Sequence, residues 1–248
     1  MSRKKGFSFG LIQDDPVSEA IDIVALIALV FLLISAVVYV NLYIAALALT
    51  SLAMIWTASR IGYDASLLKQ ARNEKTPRGV GSFTLWIAIC LGGFLFLDLV
   101  VPPAFGLLNP SSVYLSSIPA GSVLSVSALV AVLNADAEED FFRQAMTNLL
   151  VVRLRAGYLG LVGSAIIFAA AHLFVDSAAG AGTNFVDITI IFGAGFLFGF
   201  GDLVTRRLGT SKVSHIINNL GALGILSVIN QFGGVHVPTG LFFLVALL

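Results

Sequence analysis

The sequence predicts an all-α fold, a polytopic transmembrane helix bundle of seven to eight helices, and three observations predict it. Of 248 residues, 58% are hydrophobic and 11% charged, whereas a water-soluble domain carries about a quarter charged residues. The apolar residues fall into long runs, several of them close to the ~20 residues that a helix needs to cross a bilayer core. Lysine and arginine, finally, are confined almost entirely to alternate connections between those runs.

The elements follow from where charges, prolines and glycine clusters interrupt the apolar runs. Spans are expected at Ile21 to Val40, Leu42 to Thr57, Phe83 to Val101, Val123 to Val152, Tyr158 to Val175, Phe185 to Val204 and Val213 to Ile229. An eighth, Val237 to Leu248, is short for a span. The basic start, Arg3, Lys4 and Lys5, stands well ahead of the first run, and no small-residue cleavage site follows a short apolar core, so the first span reads as an uncleaved anchor.

Charge placement gives an independent reading of topology. With the N-terminus in the cytoplasm, Arg3, Lys4 and Lys5, then Arg60, Lys69, Arg72, Lys75 and Arg78, then Arg153 and Arg155, then Arg206, Arg207 and Lys212 all fall on the cytoplasmic side. The opposite connections, 102–117, 176–184 and 231–236, contain no lysine or arginine. This is the positive-inside pattern, and it places the protein in the cell membrane, multi-pass, with a cytoplasmic N-terminus. Arg143 is the one exception, inside a span. Organisation is then a single integral membrane domain over 1–248, with 1–20 a cytoplasmic N-terminal segment and 120–230 the core helices that carry the polar residues.

Composition excludes several classes. Fourteen basic residues balance fourteen acidic ones, so no net charge invites nucleic acid. A lone cysteine, Cys90, allows neither a disulfide framework nor a thiolate metal site within one chain, and packing is its expected role. Gly195 and Gly199 have the spacing that lets membrane helices approach closely, and no Gly-Lys-Ser/Thr follows to make a phosphate loop.

Ionisable residues within lipid-embedded helices are costly and normally face a protein interior or a wet cavity. Three clusters are of this kind: Glu138-Glu139-Asp140-Phe141-Phe142-Arg143, then Phe168 to His172, then His215 to Asn219. Glu139 and Arg143, four apart, share a helix face as an ion pair. Glu138, turned by about 100° from Glu139, is the carboxylate left to point into a cavity and act as a base. Phe168 lies one turn from His172 and can wall its ring. His215 and Asn219 share a face as two hydrogen-bond donors, the arrangement that an oxyanion needs. Together the clusters supply a base pair for water and a stabiliser for the tetrahedral oxyanion, a set sufficient for peptide hydrolysis without a covalent intermediate.

The order Glu-Glu-x-x-x-Arg, Phe-x-x-x-His, His-x-x-x-Asn, one motif per span, resembles the CPBP family of CAAX proteases and bacteriocin-processing or immunity proteins, also called the Abi family, and within it the type II CAAX prenyl endopeptidases. The motifs stand here as Glu138, Glu139 and Arg143, Phe168 and His172, and His215 and Asn219, across about a third of the chain. The resemblance implies an intramembrane endopeptidase in which Glu138 and His172 activate water while His215 and Asn219 form the oxyanion hole. Glu139, Arg143 and Phe168 are supporting residues. It further implies a peptide or prenylated protein as substrate, membrane lipid as the surrounding partner and no cofactor.

Alternatives from other classes remain beside this reading. Glu138, His172 and His215 could ligate zinc in a metalloprotease; the fold could serve as a non-catalytic membrane scaffold or bacteriocin immunity protein; or Glu138 and His172 could relay protons in a carrier. One matter of depth stands against simple counting. Glu138 lies fifteen residues before Arg153, about 22 Å of helix, whereas His215 lies only three after Lys212. The expectation is that the fourth and fifth helices project into the cytoplasm, the other possibility being that Lys212 enters a cavity.

Overall fold

A computed structural model describes residues 11–38, 42–62, 80–104, 123–178 and 185–231. These contain seven α-helices, α1 Pro16–Val38, α2 Leu42–Gly62, α3 Val80–Ala104, α4 Val123–Glu139, α5 Tyr158–Ala178, α6 Phe185–Thr205 and α7 Gly209–Gln231. A π-helical segment, Asp140–Arg153, continues α4 without a break. The fold is an all-α bundle. The expected short span Val237 to Leu248 and most of the connection from Arg60 to Arg78 lie outside the described residues.

Helix α1 begins five residues before its apolar run because a cap is available there. The Asp15 carboxylate accepts the backbone N–H of Val17 at 2.9 Å, and Ser18 Oγ accepts the N–H of Asp15 at 2.9 Å, a reciprocal pair around Pro16 at the first helical position. The expected segment 1–20 therefore ends inside the helix. Along α1, Ala25, Ala28, Leu29, Leu32 and Ala36 are buried at helical spacing, while Ile23, Ile27, Phe31, Ile34 and Val38 stand more than half exposed. The outer face thus carries the larger apolar side chains, the reverse of a soluble amphipathic helix. Helix α1 and residues 188–205 of α6 are, among the described residues, the helices long and apolar enough to cross a membrane by length and composition.

Helix α4 is central, packing on α1, α2 and α7, while α6 packs on α3, α5 and α7. After Glu139 the helical bonding changes from i+4 to i+5. Thr147 Oγ1 donates to the Phe142 carbonyl five residues back at 2.8 Å, and Ser164 Oγ of α5 donates to the same oxygen at 2.9 Å. π-Helical turns recur at functional sites, and this one opens in the middle of the Glu138 to Arg143 cluster. The chain then reverses through Arg155 and Gly157, both at positive φ. Gly160 passes so close to the π segment that a Cβ there would lie 2.7 Å from the Leu150 carbonyl carbon, so α5 can approach only through a glycine.

Residues 11–15 stitch one end of the bundle. The Asn148 side-chain amide pairs with both backbone groups of Ile12, at 2.9 and 3.0 Å. Gln13 bridges to the α6–α7 connection, donating to the Arg206 carbonyl and accepting from Leu208 N–H. Asp15 Oδ2 accepts the N–H of Gly209 at 3.0 Å. Leu11 and Ile12 fill an apolar cluster with Val151, Val152, Leu161 and Leu203. The chain start, the turn after the π segment and the α6–α7 connection therefore share one end of the bundle.

Candidate active site

The site lies where α4, α5 and α7 meet. Glu138 is buried, its Oε2 3.8 Å from His172 Nε2 and 3.9 Å from His215 Nε2. Each imidazole has its other nitrogen engaged. His172 Nδ1 lies 2.9 Å from the Phe168 carbonyl, which only accepts, and His215 Nδ1 lies 2.8 Å from Glu139 Oε1. Both Nδ1 atoms therefore carry hydrogen, and both rings turn Nε2 toward Glu138. Oε2 of Glu138 is itself buried without a hydrogen-bond donor among the described residues. These groups thus converge across gaps longer than a direct hydrogen bond, a spacing suited to a water molecule that donates to two of them, Glu138 Oε2 and His172 Nε2.

The side chains that hold these groups are mostly aromatic or ionic. Glu139 and Arg143 are fully buried, with Glu139 Oε2 3.0 Å from Arg143 Nε, and the second oxygen of Glu139 takes His215. The Arg143 guanidinium lies 4.2 Å from the Phe168 ring centroid and 6.0 Å from that of Phe198, so two aromatic faces replace the water that it gives up. Phe168 also meets His172 edge to face at 4.5 Å, and Phe198 lies 5.6 Å from His215. The small residues of α6 make room for this. A Cβ at Gly195 would lie 2.9 Å from the Phe168 ring, and one at Gly199 would lie 2.8 Å from Leu161 and 3.8 Å from Arg143 Cδ. Asn219 sits one turn beyond His215, half-buried, its Nδ2 3.5 Å from the Ala131 carbonyl.

A second ionic cluster went unread in the sequence. Lys212 is fully buried, and its ammonium meets one carboxylate oxygen each from Asp22 of α1, Asp136 of α4 at 2.6 Å and Asp140 of the π segment at 2.7 Å. An ammonium has three donors, and each finds a carboxylate. Lys212 lies in the first turn of α7 and yet is buried, because three acids solvate it there, as in the second of the two possibilities that the sequence left open. His215, three residues on, lies 3.9 Å from Glu138. The signal was present as an excess of acid. Asp22, Asp136, Glu138, Glu139 and Asp140 all lie in apolar stretches with only Arg143 to balance them.

The metal question turns on distances between ligand atoms. Asp22, Asp136 and Asp140 bring three oxygens within 4.8 Å of one another, but the Lys212 ammonium sits among them. Glu138, His172 and His215, the zinc-like donor set, do not form such a group. Asn134, also unread in the sequence, donates from Nδ2 to Glu138 Oε1 at 2.6 Å. Cys90 is buried against Ala194 and Phe198 between α3 and α6, as expected of a packing residue.

Comparison with known proteins bears on the same stretch. Residues 119–221 match the family model described as Rce1-like, type II CAAX prenyl endopeptidase Rce1-like. The matched segment contains every side chain that converges on Glu138, whereas Asp22 lies outside it. No curated protein and no solved structure matches the chain.

Proposed function

We propose that the chain, whose residues 119–221 match the Rce1-like model of type II CAAX prenyl endopeptidases, belongs to that family and hydrolyses a peptide bond within the membrane using water activated by Glu138 and His172. The observation that carries this reading is the convergence of Glu138 Oε2 with two imidazole Nε2 atoms at 3.8 and 3.9 Å. A water placed there gives a proton to Glu138, with His172 Nε2 orienting it as acceptor, while its oxygen attacks the scissile carbonyl. Charge then develops on the carbonyl oxygen. His215 and Asn219, one turn apart on α7, are its donors. Because Nδ1–H of His215 is held by Glu139, donation from Nε2 requires His215 to enter the reaction as the imidazolium, its second proton taken from bulk water beforehand and kept through the cycle, and the Glu139 carboxylate beside it offsets that charge. The proton on Glu138 passes finally to the leaving amine.

No cofactor enters this scheme. The convergence of a carboxylate with two imidazoles keeps zinc as the second reading, although these three do not form a compact ligand group. The substrate is a peptide or a prenylated protein, and the protein is multi-pass with a cytoplasmic N-terminus. Two basic segments, Arg153 to Arg155 and Arg206 to Arg207, lie at the end stitched by residues 11–15, which supports one sidedness for both of them. The test is Glu138→Gln in purified protein assayed on a prenylated peptide. Cleavage should be lost while the unfolding temperature stays near that of the wild type; equal activity removes Glu138 from the chemistry.

A further inference from the structure

We propose that Asn134 is a positioning residue that pins the Glu138 carboxylate so that only Oε2 faces the two imidazoles, an inference that rests on the reading of Glu138 as the base. Asn134 stands one turn before Glu138 on α4, and its Nδ2 donates to Oε1 at 2.6 Å. The terminal torsion of a glutamate is soft and nearly two-fold, so a carboxylate held at one end only by its stem exchanges its oxygens freely. A donor fixed to Oε1 removes that freedom and leaves Oε2 as the oxygen that meets water.

The groups that face Glu138 from neighbouring helices are His172 from α5 and His215 from α7, both through Nε2 and both acceptors in the neutral ring. Glu139 is engaged with Arg143 and with His215, and Asp136 and Asp140 with Lys212. None of these is placed to do what Asn134 does. Asparagine is also a poor helix former, so α4 gains nothing in helicity from it.

The experiment measures kcat and KM separately for full-length protein in detergent on a prenylated peptide, with three substitutions and Glu138→Gln as reference. Asn134→Leu removes the donor at similar volume, Asn134→Asp keeps the shape but turns a carboxylate on Glu138, and Asn134→Gln keeps a donor. Loss of a hydrogen bond to a charged group predicts a fall in kcat of about tenfold to a hundredfold for Leu, more for Asp and least for Gln. KM should stay within about twofold and Leu should unfold no earlier than wild type. A packing role predicts the opposite order, with Asp the mildest, and that order overturns the inference. So does kcat for Leu within twofold of wild type while Glu138→Gln is inactive. Should Asp fail to fold, the Leu and Gln variants decide alone, because only a lost donor separates them in kcat. Full activity of Glu138→Gln would instead overturn the reading of the base itself.

Discussion

Replacing Lys212 by methionine keeps most of the side-chain length and removes the charge at the centre of three carboxylates. The consequence can be apportioned by exposure. Asp136 is 2% exposed at its side chain and cannot recover its lost partner from water, whereas Asp140 is 14% and Asp22 43% exposed. Breaking a buried pair from one side costs about 3–5 kcal/mol, so Asp136 alone accounts for that much. Asp22 behaves more like a surface pair, about 0.2–1 kcal/mol. The variant should lose a large part of a stability that for most domains is about 5–15 kcal/mol. Asp22→Asn should cost at most about 1 kcal/mol. Adding Asp136→Asn to Lys212→Met should return part of the loss, since no bare buried acid then remains. Tryptophan fluorescence during unfolding in detergent, with the three variants side by side, reads this directly. If Lys212→Met unfolds no earlier than Asp22→Asn, the ammonium is not holding the buried acids and the reasoning is wrong.

The partner question for Arg143 has the same form. Glu139→Gln should lower stability by about 3–5 kcal/mol, because the guanidinium is fully buried and loses its counter-ion, and the drop in unfolding temperature should clearly exceed that of Glu138→Gln. Gly160→Ala presses a Cβ onto the Leu150 and Val151 backbone at 2.7–2.8 Å and should cost about 1–3 kcal/mol in the same unfolding assay. Dialysis against a strong chelator should leave cleavage unchanged, with no stoichiometric zinc by elemental analysis; activity lost to the chelator and restored by zinc makes Glu138, His172 and His215 ligands instead.

The helices and the polar cluster were legible in the sequence for one physical reason. An acid or histidine inside an apolar run is expensive, so Glu138, His172 and His215 stand out against their surroundings without any knowledge of the fold. The burial of Lys212 was harder to read. A lysine beside an apolar run reads most simply as the boundary of a span, and only the tertiary packing of α1 against α4 and α7 supplies the acids that let it go inside. Asn134 was invisible for a different reason, since an uncharged amide in a helix is unremarkable until its distance to Glu138 is known. The change to π-helical bonding after Glu139 has no periodic signature of its own. It rests on the Phe142 carbonyl receiving two hydroxyls, one of them from Ser164 on another helix.

The stitched end of the bundle also sets an order of assembly. Asp15 meets Gly209 across 194 residues of chain, Asp22 meets Lys212 across 190, and Ile12 meets Asn148 across 136. At a synthesis rate of about 5–20 residues per second, α1 is complete about ten to forty seconds before its partners on α7 exist. In the later part of that interval, once the π segment exists, the acids on α1, α4 and the π segment face one another without their lysine. Helix α1 can pack on α2 and α4 before its bonds to α7 form, and a chain stopped short of Gly209 lacks both the partner of Asp15 and the ammonium that joins α1, α4 and α7.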